Sequence, residues 1–181
     1  MEHFYHLTEG ENWFTYPNLY THIVKAAPRT AHFVEVGVWK GRSAAFLAVE
    51  IINSGKNITL DLVDTWEGSE EHLPLQYDLF EVFKKNISPV ESYVNIKRMD
   101  SLSAALTYED GSLDFVFIDA AHDYESVKAD ILAWMPKIKS GGYLAGHDYP
   151  TWEGVTKAVN EIIGAENIQS AESCWLYSVR Y

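Results

Sequence analysis

Apolar positions along the chain gather into five short runs, Phe33 to Val38, Ile58 to Val63, Val94 to Ile96, Leu113 to Ile118 and Tyr143 to Ala145. Each is rich in residues that suit buried strands. Between the runs, Ser43 to Ile52, Leu79 to Asn86, Tyr124 to Trp134 and Gly154 to Ile163 carry apolar residues at helical spacing and predict helices of two to three turns. Alternating strands and helices predict a parallel sheet covered on both faces, because parallel strands need crossover connections. In "KSGGYLAGHDYP" the pair Gly141 and Gly142 is expected to turn the chain into the fifth strand. The last segment, "IQSAESCWLYSVRY", reads as two strands around an Ala-Glu-Ser turn and predicts an antiparallel hairpin closing the sheet. The expected fold is therefore α/β, a Rossmann-like, seven-stranded mixed sheet with helices on both faces. Residues 1–32 differ: Phe4, Tyr5, Trp13, Phe14, Tyr16 and Tyr20 sit among polar residues, with a short helix expected from about Leu19 to Ala27. They are expected to form a lid or packing segment on a catalytic domain of residues 33–181.

A length of 181 residues without internal repeats fits this single sheet. The 26 acidic against 14 basic residues, a formal charge of −12, and the lack of a Lys/Arg run disfavour a nucleic-acid substrate. The lone Cys174 excludes an internal disulfide or a cysteine metal cluster. With neither a basic, apolar leader nor about 18 consecutive apolar residues, the expectation is a soluble, cytoplasmic protein that does not enter a membrane.

In an open α/β sheet ligands bind at the carboxyl ends of the strands. Those ends are polar here: Glu35 precedes the Gly37 turn, Asp64 ends the second run, Asp100 and Ser101 follow the third, Asp119 ends the fourth, and His147 and Asp148 end the fifth. Clustered carboxylates repel and shift one another's pKa, so such a rim points to a site. The glycines do not suit a dinucleotide. With Gly37 as the first glycine of G-x-G-x-x-G, Trp39 and Arg42 occupy the second and third positions, and an indole there would block a pyrophosphate.

The spacing Glu35-x-Gly37-x-x-x-Gly41-x-Ser43 instead resembles the first motif of class I S-adenosylmethionine-dependent methyltransferases. The resemblance continues in order through "LDLVDTW", "MDS", "FIDAAHDYE" and "GGYLAGHDYP", covering Phe33 to Pro150. It implies that the Gly37 to Ser43 turn admits the methionine part of the cofactor and that Asp64 accepts the ribose hydroxyls. Asp100 and Ser101 would lie beside the adenine, with Glu35 and Asp119 near the amino end. Read without the resemblance, Gly37 and Gly41 can simply shape a strand-to-helix turn, with Ser43 at the helix start.

For the reaction, Asp119 and His122 in "IDAAHDYESVKAD" are the candidate catalytic pair, with His122 as base. A histidine pKa near 6.5 allows it to take a hydroxyl proton at neutral pH. Asp119, His147 and Asp148 are the candidate ligands of a divalent cation, magnesium or another metal. This end of the chain resembles metal-dependent sugar and natural-product O-methyltransferases and relatives linked to cephalosporin hydroxylation, with His147 standing where that pattern has an acid. The resemblance implies transfer to a small-molecule hydroxyl. Candidate pocket walls are the N-terminal segment, the loop "TWEGSEEHLPLQY" and the loop "DYPTWEG", with Trp66, Tyr149 and Trp152 offering flat faces. An oxidoreductase or hydroxylase-like relative on the same fold and a cofactor-binding module without chemistry stay open as alternatives, as does a homodimer.

Overall fold

A computed structural model describes residues 1–68 and 74–181, so the expected pocket wall at residues 65–77 lies partly outside the described residues. Seven strands form one sheet: β1 (Thr30–Val36), β2 (Asn57–Asp64), β3 (Asn95–Arg98), β4 (Leu113–Ile118), β5 (Ile138–Gly146), β6 (Ile168–Ala171) and β7 (Cys174–Ser178). Their spatial order is 3-2-1-4-5-7-6. The first five run parallel, and β7 is antiparallel to both β5 and β6. Strand order reverses between β1 and β4, where an open α/β sheet leaves a crevice at its carboxyl edge.

The helices are α1 (Pro17–Ala26), α2 (Arg42–Ser54), α3 (Leu79–Ile87), α4 (Ser101–Ala105), α5 (Tyr124–Trp134) and α6 (Glu153–Ile162). Alternate strand residues serve opposite faces. Phe33, Phe115 and Phe117 join Tyr20, Leu47 and Phe83 in one core, while Val34, Val116 and Ile118 join Ile131, Trp134 and Ala158 in the other. Both faces are thus buried, which explains the near-continuous apolar runs of β1 and β4. Each large side chain removed from water contributes about 1.5–3 kcal/mol before the entropy of ordering is counted.

The hairpin and the five expected helices match the periodicity; the short α4 was not among the expected helices, and β5 departs from its expected start. It begins at Ile138, and Gly141 and Gly142 lie within it rather than in a turn before it. Gly141 has φ +86°, and a Cβ on Gly142 would meet the Ile138 side chain at 2.7 Å and the Asp114 carbonyl at 2.9 Å. The glycines therefore accommodate an irregularity in the pairing with β4, where the register shifts between Leu113 and Phe115. Glycine pairs signal both situations, and only the pairing partner separates them.

Candidate active site

The turn leaving β1 is built by its neighbours. Gly37 has φ +82°, and a Cβ there would lie 2.1 Å from the backbone carbonyl oxygen of Asp119. Gly41, also at φ +82°, packs under α3, where a Cβ would meet Phe83 and Ile87 at 2.9 and 2.8 Å. Both glycines are thus required by packing within the chain. Asp64 fixes the loop between them. Its Oδ2 accepts the backbone N–H groups of Val38 (2.7 Å) and Trp39 (2.8 Å), and its Oδ1 accepts that of Trp66 (2.7 Å). Of roughly four lone-pair sites on a carboxylate, three are occupied. Capture of both ribose hydroxyls, expected from the sequence, would compete with these backbone bonds.

Glu35 lies beneath the turn, fully buried, and accepts the Ser43 hydroxyl at 2.5 Å. Burial pushes its pKa up to about 8, against the Ser43 hydrogen bond and with the help of the Asp119 charge. Glu35 does not line the cavity described below, whereas Ser43 and Gly37 do. Asp100 caps α4 by accepting the Ser103 N–H at 2.8 Å. The Ser101 hydroxyl donates to the buried Asp130 (2.5 Å) and accepts from the Trp134 indole (2.9 Å), which ties α4 to α5. Burial raises the Asp130 carboxyl to about 6 in spite of the Ser101 bond.

The ends of β4 and β5 bring four side chains together. His122 Nε2 lies 2.9 Å from Asp148 Oδ2, and its ring stacks on Trp152 at 4.3 Å and 15°. His147 Nδ1 sits 3.6 Å from Asp119 and 3.4 Å from Asp148, while its Nε2 pairs with the Thr15 hydroxyl at 3.2 Å. Burial opposes the His147 charge, but hydrogen bonds and negative charge from Asp119 and Asp148 outweigh it and push the pKa up to about 10. Burial would raise Asp148, yet its bonds to His122 and His147 hold it well below the usual carboxylate range. Asp148 itself takes φ +62°.

The grouping with ligand-atom spacing is Asp119, His122 and Asp148, whose donor atoms lie within 4.8 Å of one another. The sequence expectation placed His147 there in place of His122. His147 Nδ1 lies 3.6 Å from Asp119 and 3.4 Å from Asp148, while its Nε2 faces the Thr15 hydroxyl.

These residues open into a cavity of about 750 Å³, within the usual range for small-molecule sites. It is lined by the β1 turn, Asp64, Met99 to Ser101, Asp119 to His122, His147, Asp148 and Trp152. A further wall is the N-terminal segment from Asn12 to Tyr16, with Glu9 and Glu11. Arg42 holds that segment through the Thr8 hydroxyl and carbonyl, the Gly10 carbonyl and Asn12 Oδ1. Lys40 pairs with Glu11 at 2.9 Å, and the Tyr16 hydroxyl donates to Asp119 Oδ2 at 2.8 Å. Thr15, Tyr16, Lys40 and Arg42 were not singled out from the sequence as site residues. Thr15 and Tyr16 lie in the aromatic segment expected as a pocket wall, and Lys40 and Arg42 lie in the glycine turn after β1.

Among the described residues, no helix is long and apolar enough to cross a membrane. A family model described as "Methyltransferase domain" matches residues 34–149. The Sinorhizobium fredii protein y4gI is 31% identical over an alignment of 126 positions that covers 67% of this chain; the match spans only 13% of that relative's length. Among solved structures, the O-methyltransferase NovP has a TM-score of 0.73 at 17% identity, over 93% of this chain and 81% of that one. CalS11, a TDP-rhamnose 3'-O-methyltransferase of calicheamicin biosynthesis, has a TM-score of 0.60 at 17% identity, over 90% and 76%. Cofactor-bound Rv0187 from MTB has 0.66 at 17% identity, over 97% and 86%. At these identities the structures speak to the fold, a Rossmann-like methyltransferase sheet. With the match over residues 34–149, the chain belongs to the methyltransferase-domain family.

Proposed function

We propose that the protein transfers the methyl group of S-adenosylmethionine to a hydroxyl oxygen of a small molecule, with His122 as proton acceptor. The observation that carries this reading is the Asp148 and His122 pair, 2.9 Å apart on the rim of the cavity that the Gly37 turn also lines. The cavity is large enough for an adenosyl group and an acceptor together. Asp64, Asp100 and Ser101 would form the nucleoside side, and Gly37 to Ser43 with Asp119 the methionine side. The acidic rim suits a sulfonium cation. Glu35 acts from below, through Ser43.

The acceptor oxygen attacks the methyl carbon as the carbon–sulfur bond breaks, the bonding pair leaves on the thioether sulfur, and the hydroxyl proton passes to His122. Asp148 orients the ring and stabilises the imidazolium that forms. Trp152 fixes the plane of that ring. His147, held protonated by its two carboxylates, is not the base. Most of the rate gain comes from alignment. The N-terminal segment serves as a lid that shields the reacting atoms, and O-methyltransferase neighbours such as NovP and CalS11 favour oxygen as the acceptor atom.

A second reading is favoured by the ligand spacing of Asp119, His122 and Asp148, two carboxylates and one imidazole. That donor set fits a divalent cation, and a void of about 10 Å³ adjoins all three residues. A cation there would acidify the acceptor hydroxyl. His122 would then be its ligand and not the base.

Calorimetric titration with S-adenosylmethionine, with NAD as control and with chelator or magnesium present, tests both. Saturable binding of the adenosyl ligand alone is expected. Its absence under every condition overturns methyl transfer, and affinity or turnover that follows added metal selects the second reading.

A further inference from the structure

We infer that Glu11 is a built-in competitor of the cofactor: its carboxylate occupies Lys40, the side chain that receives the carboxylate at the methionine end of S-adenosylmethionine, and each displaces the other. The inference rests on the methyl-transfer reading, which lays the methionine part along Gly37 to Ser43, and it names the group of that turn that answers the ligand's negative charge. Apart from the two histidines, the basic side chains lining the cavity among the described residues are Lys40 and Arg42, one on either side of Gly41. A carboxylate drawn out of water at this end of the cavity is stabilised most by a charged donor, so one of the two is the natural partner.

The two differ in what they already hold. The Arg42 guanidinium spends four donors on neutral oxygens, the Thr8 hydroxyl and carbonyl, the Gly10 carbonyl and Asn12 Oδ1, all at 2.9–3.0 Å. Freeing it would unfasten the N-terminal segment over residues 8–12. The Lys40 ammonium instead holds one side chain, contacting both carboxylate oxygens of Glu11 at 2.9 and 3.1 Å, and the Trp39 indole donates to the same carboxylate at 3.3 Å. Burial opposes both charges, yet the pairing holds Glu11 below and Lys40 above its ordinary pKa, so the contact joins two ions.

The partners are unequally free to leave. The Lys40 side chain is 10% exposed and that of Glu11 42%. The Lys40 stem packs against the backbone at Gly10, where a Cβ would lie 2.5 Å from its Cδ, and the ammonium lies 4.8 Å from the centre of the Tyr77 ring. Asn86 fixes the backbone at this point by donating to the Lys40 carbonyl at 2.9 Å. A nearly buried ammonium left without a counter-charge is costly, whereas a half-exposed carboxylate regains water by a change of rotamer. Exchanging one carboxylate for another at Lys40 keeps the buried charge paired and moves only the Glu11 side chain. The rest of the segment stays fastened through Arg42 and through the Tyr16 bond to Asp119.

Two ligands that differ only by the carboxylate test the inference: S-adenosylhomocysteine and its decarboxylated counterpart, S-adenosyl-3-thiopropylamine. Each is titrated calorimetrically into the parent protein, Glu11→Gln, Lys40→Met and the double variant, with melting curves confirming that each is folded. The parent should bind S-adenosylhomocysteine tighter than the amine. Glu11→Gln, which keeps the shape and removes the charge, should tighten S-adenosylhomocysteine about fivefold, since a half-exposed ion pair no longer has to be broken, and leave the amine within about twofold. Lys40→Met should weaken S-adenosylhomocysteine about tenfold and shift the amine little, and in the double variant the gain from Glu11→Gln should shrink below about twofold. If Lys40→Met does not fold, the two ligands on Glu11→Gln decide. A parent that binds the amine as tightly as S-adenosylhomocysteine, a Glu11→Gln that leaves S-adenosylhomocysteine unchanged or weaker, or a gain shared equally by both ligands overturns the inference. Failure of both ligands to bind the parent would instead overturn the methyl-transfer reading.

Discussion

The Tyr16 hydroxyl donates to Asp119 Oδ2 at 2.8 Å, joining the segment before α1 to the carboxyl end of β4 across 103 positions of sequence. Tyr16 is fully buried, with its ring 4.7 Å from Phe117 and 4.8 Å from His147. Burial, the Asp119 charge and the neighbouring Tyr20 push its pKa well above the usual tyrosine range, so it acts as a donor and not as a base. One hydroxyl therefore anchors the N-terminal segment and orients a carboxylate of the candidate site.

Tyr16→Phe removes this bond and keeps the packing. Loss of a hydrogen bond to a charged group should cost about 1.5–3 kcal/mol, read from urea unfolding. A loss below about 0.5 kcal/mol would mean that water replaces the hydroxyl and that Tyr16 does not hold the segment.

Replacing His122 separates chemistry from binding. If His122 takes the acceptor proton, His122→Ala should lower turnover by about 10²–10⁴-fold, with the affinity for S-adenosylmethionine little changed. Asp148→Asn, which leaves the ring but weakens its orientation, should lower turnover less than His122→Ala does. A collapse of cofactor affinity with near-normal turnover at saturation would make His122 a binding residue.

The two glycines of the β1 turn show why some of the site was legible in the sequence and some was not. Their positions, and the polar residues ending each strand, followed from local pattern, as did the helices and the closing hairpin. Their reason did not. Gly37 is set by the Asp119 carbonyl and Gly41 by Phe83 and Ile87, contacts that depend on how distant segments meet. The exchange of His147 for His122 in the ligand-spaced group has the same origin, since side-chain direction at the end of β5 depends on Asp119 and Thr15. The contacts of Tyr16, Lys40 and Arg42 were not legible because their partners lie tens of residues away. The Gly141 and Gly142 pair, expected as a turn, serves a strand irregularity for an equally non-local reason.

That difference can be measured with two alanines. Gly37→Ala combines a left-handed backbone with a Cβ 2.1 Å from a carbonyl oxygen, and should cost more than about 4 kcal/mol or abolish folding. Gly55→Ala has φ +65° but nothing within 4 Å, and should cost only about 1 kcal/mol, the backbone penalty alone. Similar losses at both positions would show that the close approach at Gly37 relaxes freely.

Glu35 makes stability depend on pH in a direction opposite to that of a salt-bridged carboxylate. Its folded pKa of about 8 lies above the 4.5 of the unfolded chain, so between these values the folded state binds the proton and the unfolded state does not. Stability associated with this group is then greatest below about pH 4.5 and is lost as pH rises through 8. Glu35→Gln mimics the protonated carboxyl at every pH and can still accept the Ser43 hydroxyl. Its melting temperature should equal that of the parent near pH 5 and exceed it increasingly towards pH 9. A difference that stays constant across that range would mean that Glu35 is ionised in the folded protein at neutral pH, its charge balanced from within the site.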